Sequence, residues 1–148
     1  MTRRRILVWC LAVMGGATLL PTGCTVLNCV CQLAECQGER VQTTFTCPRG
    51  KRHRLLLGVP QAADKEPFSG QVRVTLKGGK PVYQFAFSAK TAQKSDCLDS
   101  QGLTAFILTW RDTDEFQHLV RPGQTYDLVV DFDQQPPAGS SLWLSWVK

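Results

Sequence analysis

Residues 71–88 read Gln71-Val72-Arg73-Val74-Thr75-Leu76-Lys77-Gly78-Gly79-Lys80-Pro81-Val82-Tyr83-Gln84-Phe85-Ala86-Phe87-Ser88. Val72, Val74 and Leu76 fall on one side of a period of two, and Arg73, Thr75 and Lys77 fall on the other. Such a strand buries one face and wets the other. Gly78-Gly79 then supplies the flexible residues of a tight hairpin, and the chain returns with Tyr83, Phe85 and Phe87 on a single face. Two arms that alternate in this way predict an antiparallel pair with one side in a core.

The same rhythm extends outward in both directions. Arg40–Cys47 places Val41, Thr43 and Phe45 together, and Arg54–Val59 does so with Leu55, Leu57 and Val59. Leu103–Trp110, a short segment at His118–Val120, Tyr126–Phe132 and Leu142–Val147 complete the set. Pro122-Gly123 is a type II turn signal, and Pro136-Pro137-Ala138-Gly139 breaks the chain before the last strand. Helical turns fit only residues 90–101 and 110–117. Seven to eight short strands over residues 40–148 predict an all-β domain, an antiparallel β-sandwich. An immunoglobulin-like and a jelly-roll-like topology are equally compatible, because periodicity does not encode strand order.

The N-terminus follows different rules. Arg3-Arg4-Arg5 precedes an apolar stretch from Ile6 to Leu20, which is short for a bilayer span of roughly 20 residues. A basic head, a short apolar segment and small residues form the layout of a secretory signal peptide, here 1–23. The ending Leu19-Leu20-Pro21-Thr22-Gly23-Cys24 resembles the lipobox of bacterial lipoproteins, with Pro21 standing where that family usually has Leu. The resemblance covers only residues 1–24. It implies that Cys24 becomes the first residue and carries a diacylglycerol thioether and an amide-linked acyl chain such as palmitate. Two or three acyl chains hold a protein firmly at a membrane where one would not. The implied location is the bacterial cell envelope, on the outer or cytoplasmic membrane, with residues 24–39 as a Cys-rich lipidated tether.

Cleavage before Cys24 also changes the charge argument. The full chain has 17 Lys+Arg against 12 Asp+Glu, and three of the bases leave with the signal. The remaining excess of two is too small to name nucleic acid as partner, since that binding needs a dense basic patch.

Seven cysteines minus Cys10 and Cys24 leave Cys29, Cys31, Cys36, Cys47 and Cys97. In an exported chain, a bridge from Cys97 to Cys47 or to Cys36 closes a long loop and contributes about 3–4 kcal/mol in the loop-entropy account. Cys29, Cys31 and Cys36 lack the paired spacing of a structural zinc site, so no metal is assigned to them. Asp112-Thr113-Asp114-Glu115 offers only part of a calcium shell and reads as an acidic loop. His53 sits in the basic run Arg49–Arg54 and reads as a solvated turn residue, and His118 as a rim residue.

No phosphate loop, nucleophile elbow or Cys-His-Asn set is found. The last strand carries the strongest binding signal. If Leu142, Leu144 and Trp146 face the core, Trp143 and Ser145 face away, and an outward indole is a platform for a sugar or a protein anchor. The reading is therefore a membrane-anchored, non-catalytic binding or structural module without a cofactor. Its partners are the membrane, through the lipid, and a protein or polysaccharide ligand through Trp143 and Ser145. An envelope hydrolase using a carboxylate pair or a metal is the competing reading.

Overall fold

The computed structural model describes residues 28–109 and 113–148. Nine strands and one α-helix occupy them: β1 Asn28–Glu35, β2 Arg40–Thr46, β3 Lys51–Pro60, β4 Ser69–Leu76, β5 Pro81–Ser88, β6 Gln93–Ser95, β7 Leu103–Ile107, α1 Thr113–Leu119, β8 Thr125–Phe132 and β9 Ser141–Val147. They build a five-stranded sheet in the order β1-β9-β3-β7-β6 and a four-stranded sheet in the order β2-β8-β4-β5, antiparallel throughout. The fold is the expected all-β two-sheet sandwich. Its chain crosses between sheets at every connection outside the β4–β5 and β6–β7 hairpins.

The four-stranded sheet obeys the alternation its sequence announces. In β8, Tyr126, Leu128, Val130 and Phe132 are buried and the residues between them are not. In β4 and β5 the inward residues are Val72 and Val74 against Tyr83, Phe85 and Phe87. The hairpin turn is centred one residue earlier than the Gly-Gly pair suggests. Gly79 N donates to Leu76 O at 2.7 Å, which makes Gly78, at φ +74°, the residue that must enter the left-handed region. The Pro-Gly turn is as expected: Gln124 N donates to Arg121 O, with Gly123 at φ +85°.

The five-stranded sheet differs, because its two central strands are covered on both faces. Leu55-Leu56-Leu57 and Leu142-Trp143-Leu144 are buried at every position. Leu55, Leu57, Leu142 and Leu144 join the core between the sheets. Leu56 and Trp143 join a second cluster with Leu98, Ala105 and Ile107 on the outer face. Continuous apolar runs of this kind are what a doubly covered strand requires.

Three expectations need correction. Residues 28–35, read as part of an irregular tether, form β1, which pairs with β9 from Asn28↔Val147 to Glu35↔Ser141. The partner strand overrides the weak local periodicity, with Cys29, Cys31 and Leu33 facing the core. The short strand expected at His118–Val120 is instead the end of α1 and the residue after it. Phe116, Leu119 and Val120 share one helical face at spacings of three and four, Val120 N donates to Phe116 O at 3.1 Å, and Phe116 packs edge-on against Tyr83 with centroids 6.2 Å apart. His53 is buried, 2% exposed, with Nε2 2.7 Å from Pro48 O.

That inward turn of His53 comes from a bulge in β3, where pairing with β9 skips from Lys51 to Arg54. Arg52 sits in the bulge at φ +54°, the one described non-glycine residue with positive φ. An L side chain there costs about 1–2 kcal/mol. Arg52→Gly is therefore expected to leave stability unchanged or raise it by about 1 kcal/mol, the glycine's own entropic cost included. Urea unfolding midpoints of the two proteins check this.

After α1 the chain is locked by Tyr126. Its Oη accepts from Arg121 N at 2.8 Å and donates to Leu119 O at 3.4 Å, as in the tyrosine corners of Greek-key sandwiches.

Candidate functional site

The outer face of the five-stranded sheet holds the residues that sequence singled out. In register across it lie Gln32, Trp143, Leu56 and Ile107, and directly paired antiparallel residues share a face. Segment 97–103 folds over this row, with Leu98 fully buried and a single 3-10 turn at Asp99–Gln101. Trp143 is consequently not an open platform. It is 5% exposed, and its Nε1 donates to Ser141 Oγ at 2.7 Å. The indole fits because Gly58 has no side chain: a Cβ there would lie 2.9 Å from Trp143 Nε1.

Ser145 is also buried, 1% exposed, in register with Val30 on one side and Arg54 on the other. Its Oγ and the Arg54 Nε are buried without a hydrogen-bond partner. Trp143 and Ser145 thus point away from the inter-sheet core, as the alternation required, yet neither offers itself to a ligand as an exposed surface. The cover that hides them comes from residues distant in sequence.

One edge of Trp143 still borders a cleft of about 440 Å3, within the range of small-ligand sites. Gln32 and Glu35 of β1, Gln37 beyond it, Gln101 of the 3-10 turn, Leu103, and the Gly139–Ser141 bend form the remaining wall with Cys36. The bend is fixed by its own hydrogen bonds: Ser140 Oγ donates to Pro137 O at 2.5 Å, and Ser140 O accepts from Cys36 N at 2.9 Å. Three carboxamides, which both donate and accept, suit a hydroxyl- or amide-rich ligand. This cleft lies where β1 ends and β9 begins. Eight residues of β1 at about 3.3 Å each separate it from Asn28.

Neither expected disulfide is formed: Cys97 is bonded neither to Cys47 nor to Cys36. The reason for the Cys47 and Cys97 pair is topological. Cys47 is in the core between the sheets and Cys97 packs on the outer cluster, so the five-stranded sheet stands between them. Cys36 packs at the margin of the inner core rather than with Cys97's cluster. Burial pushes the Cys36 thiol up to about 12 and the Cys47 thiol to about 11, and raises that of Cys29 against the opposing charge of Lys148.

Raised thiols are protonated thiols, so Cys36 is no nucleophile at neutral pH although it borders the cleft. In native protein at pH 8, Cys36 and Cys47 are expected to react with a disulfide reagent on the order of a hundredfold or more slower than in urea, where their pKa returns to 9.0. The stability linked to these two thiols is complete below pH 9 and declines as pH rises from 9 toward 11 to 12, because only the unfolded chain ionises in that window. Unfolding midpoints measured from pH 8 to 11 check the sign.

Among the described residues, no group of three or more His, Cys, Asp and Glu gathers where a metal would sit. Asp64 accepts from Thr104 Oγ1 at 2.9 Å, and Asp133 from Ser69 Oγ at 2.6 Å. His118 is exposed on α1. Cys24, Trp110 and Asp112 lie outside the described residues, as do the side chains of Asp114 and Glu115. Comparison with family models, with curated proteins and with solved structures finds no match for this chain.

Sequence reasoning missed the cleft's carboxamides, Gln32, Gln37 and Gln101. They come from three separate segments and belong to no spaced motif. The readable signal is Gln32 interrupting the apolar run Val30–Ala34 and Ser141 and Ser145 flanking Trp143, which gains meaning only when β1 is known to pair with β9.

Proposed function

We propose that this chain is a membrane-anchored lipoprotein of the bacterial envelope whose β-sandwich is a non-catalytic binding module, with the polar cleft beside Trp143 as its ligand site. The observation that carries the reading is the short distance between address and domain. Only Thr25, Val26 and Leu27 separate Cys24 from β1, so acylation at Cys24 holds the sandwich at the bilayer with the cleft at its opposite end. Gln, Ser and Glu side chains around a cleft bordered by a buried indole favour a hydroxyl-rich ligand such as an envelope polysaccharide, bound through hydrogen bonds rather than by stacking.

Two measurements test it. The mass of the mature N-terminal peptide is expected to equal Cys24 plus diacylglycerol and an acyl chain; an unmodified Cys24 overturns the anchor. Gln37→Ala with Gln101→Ala is expected to weaken retention on isolated cell-wall polysaccharide at least tenfold with an unchanged unfolding midpoint. Unchanged retention, or turnover of the polysaccharide, overturns the binding role.

A further inference from the structure

The small net charge conceals a strongly polarised domain. Asn28, Lys51 and Val147 are neighbours across β1, β9 and β3, so the start of β1, the start of β3 and the C-terminus come together at one end. Arg49, Lys51, Arg52 and Lys148 are exposed there, and Arg54 is half-buried behind them. The β4–β5 turn adds Lys77 and Lys80 to the same end, because Lys77 N donates to Thr125 O, Thr46 pairs with Thr125, and Cys47 N donates to Gln124 O. Among the described residues, the acids of this end come from α1, whose first turn includes Asp114 and Glu115 in sequence, and from Asp127, the third residue of β8. At the opposite end Glu35, Glu39, Asp96, Asp99, Asp131 and Asp133 lead an acidic excess over Arg40, Lys65, Lys90 and Lys94.

We infer that the basic end is a membrane-docking face that lies on anionic phospholipid headgroups. The inference deepens the lipoprotein reading and rests on it for the anchor. Its argument is the meeting of two independent facts: the chain leading to Cys24 leaves the sandwich at Asn28, and the exposed bases gather around that same point. Four peptide steps from Cys24 to Asn28 reach at most about 14 Å. The face is therefore held within about two screening lengths of the headgroups, where the Debye length is about 8 Å. A tether this short supplies a high effective concentration. Each Lys or Arg brought to an anionic surface then strengthens docking about fivefold.

The bulge in β3 has a place in this account. It turns His53 inward and leaves Lys51 and Arg52 at the exposed rim, with Arg52 held in the left-handed region. Docking through this end fixes the long axis of the sandwich and directs the cleft of Gln32, Gln37 and Gln101 away from the bilayer.

The test uses the natively processed protein in vesicles of phosphatidylcholine alone or mixed with phosphatidylglycerol, read by amide hydrogen exchange. Exchange in residues 48–52 and 77–80 is expected to slow severalfold on the phosphatidylglycerol vesicles only. Molar salt, or the triple variant Arg49→Gln, Lys51→Gln, Arg52→Gln with its unfolding midpoint retained, is expected to erase the difference. Equal exchange on both vesicles by acylated protein overturns the docking face and leaves the anchor standing. If Cys24 proves unmodified, the anchor fails separately. Charge-dependent sedimentation of that protein with phosphatidylglycerol vesicles then supports the face, and its absence overturns it.

Discussion

Trp143→Ala is expected to lower the unfolding free energy by about 3–5 kcal/mol, a large part of the roughly 5–15 kcal/mol that holds a domain of this size. The indole fills the outer cluster with Leu56, Leu98, Ala105 and Ile107, and truncation leaves a cavity under segment 97–103. It also removes the donor to Ser141 Oγ, which is itself in the buried bend beside the cleft. Any ligand retention is expected to fall with the fold, in contrast to Gln37→Ala and Gln101→Ala. Denaturant unfolding alongside retention separates the two cases. A Trp143→Ala protein that unfolds at the wild-type midpoint would show that the outer cluster contributes little.

Gly70→Ala is expected to destabilise at least as much as the upper end of the roughly 1–3 kcal/mol usual for overpacking. Gly70 lies in β4 between Phe132 on β8 and Phe87 on β5. A Cβ at this position would run into Asp131 O and lie 3.0 Å from Phe132 Cα and from Phe87 Cζ. Two of those three atoms are backbone of a paired strand, so relief requires β8 to move away from β4. Gly78→Ala is the matched control. It meets no atom within 4 Å and pays only for its φ of +74°, about 1 kcal/mol. Comparable midpoints for the two variants would contradict the close approach at Gly70.

How far these features were legible from sequence differs by sheet. The four-stranded sheet has one wet face, so Val72, Val74, Tyr126 and Leu128 declare their orientation through alternation. The five-stranded sheet is covered twice, and Leu55-Leu56-Leu57 has no polar partner residues to reveal which face is which. Trp143 lies on the side that alternation predicts but is closed rather than open, because its cover, Leu98, lies about forty-five residues away and forms no motif. β1 was hidden for a related reason. Val30, Gln32 and Ala34 alternate weakly with Cys29, Cys31 and Leu33, and only pairing with β9 makes them a strand. In α1, by contrast, the sequence carries the helical spacing of Phe116, Leu119 and Val120, while Leu119-Val120 by itself resembles a short strand.

The cysteines show the limit of arithmetic on loop length. A long closed loop favours Cys47 with Cys97 entropically, but a bridge needs Cα atoms within about 7 Å, and opposite faces of a sheet do not provide that. Likewise the basic run Arg49–Arg54 was visible in sequence, whereas its junction with Lys77, Lys80 and Lys148 depends on strand order.

The pairing of β1 with β9 also has a mechanical consequence. β1 leaves toward residue 24 at one end, and its other end borders the cleft, so a pull between those two points runs along the strand axis. Such a load shears every β1–β9 hydrogen bond at once instead of opening them one after another like a zipper. The edge strand nearest residue 24 is thereby the part of the sandwich best oriented to bear tension.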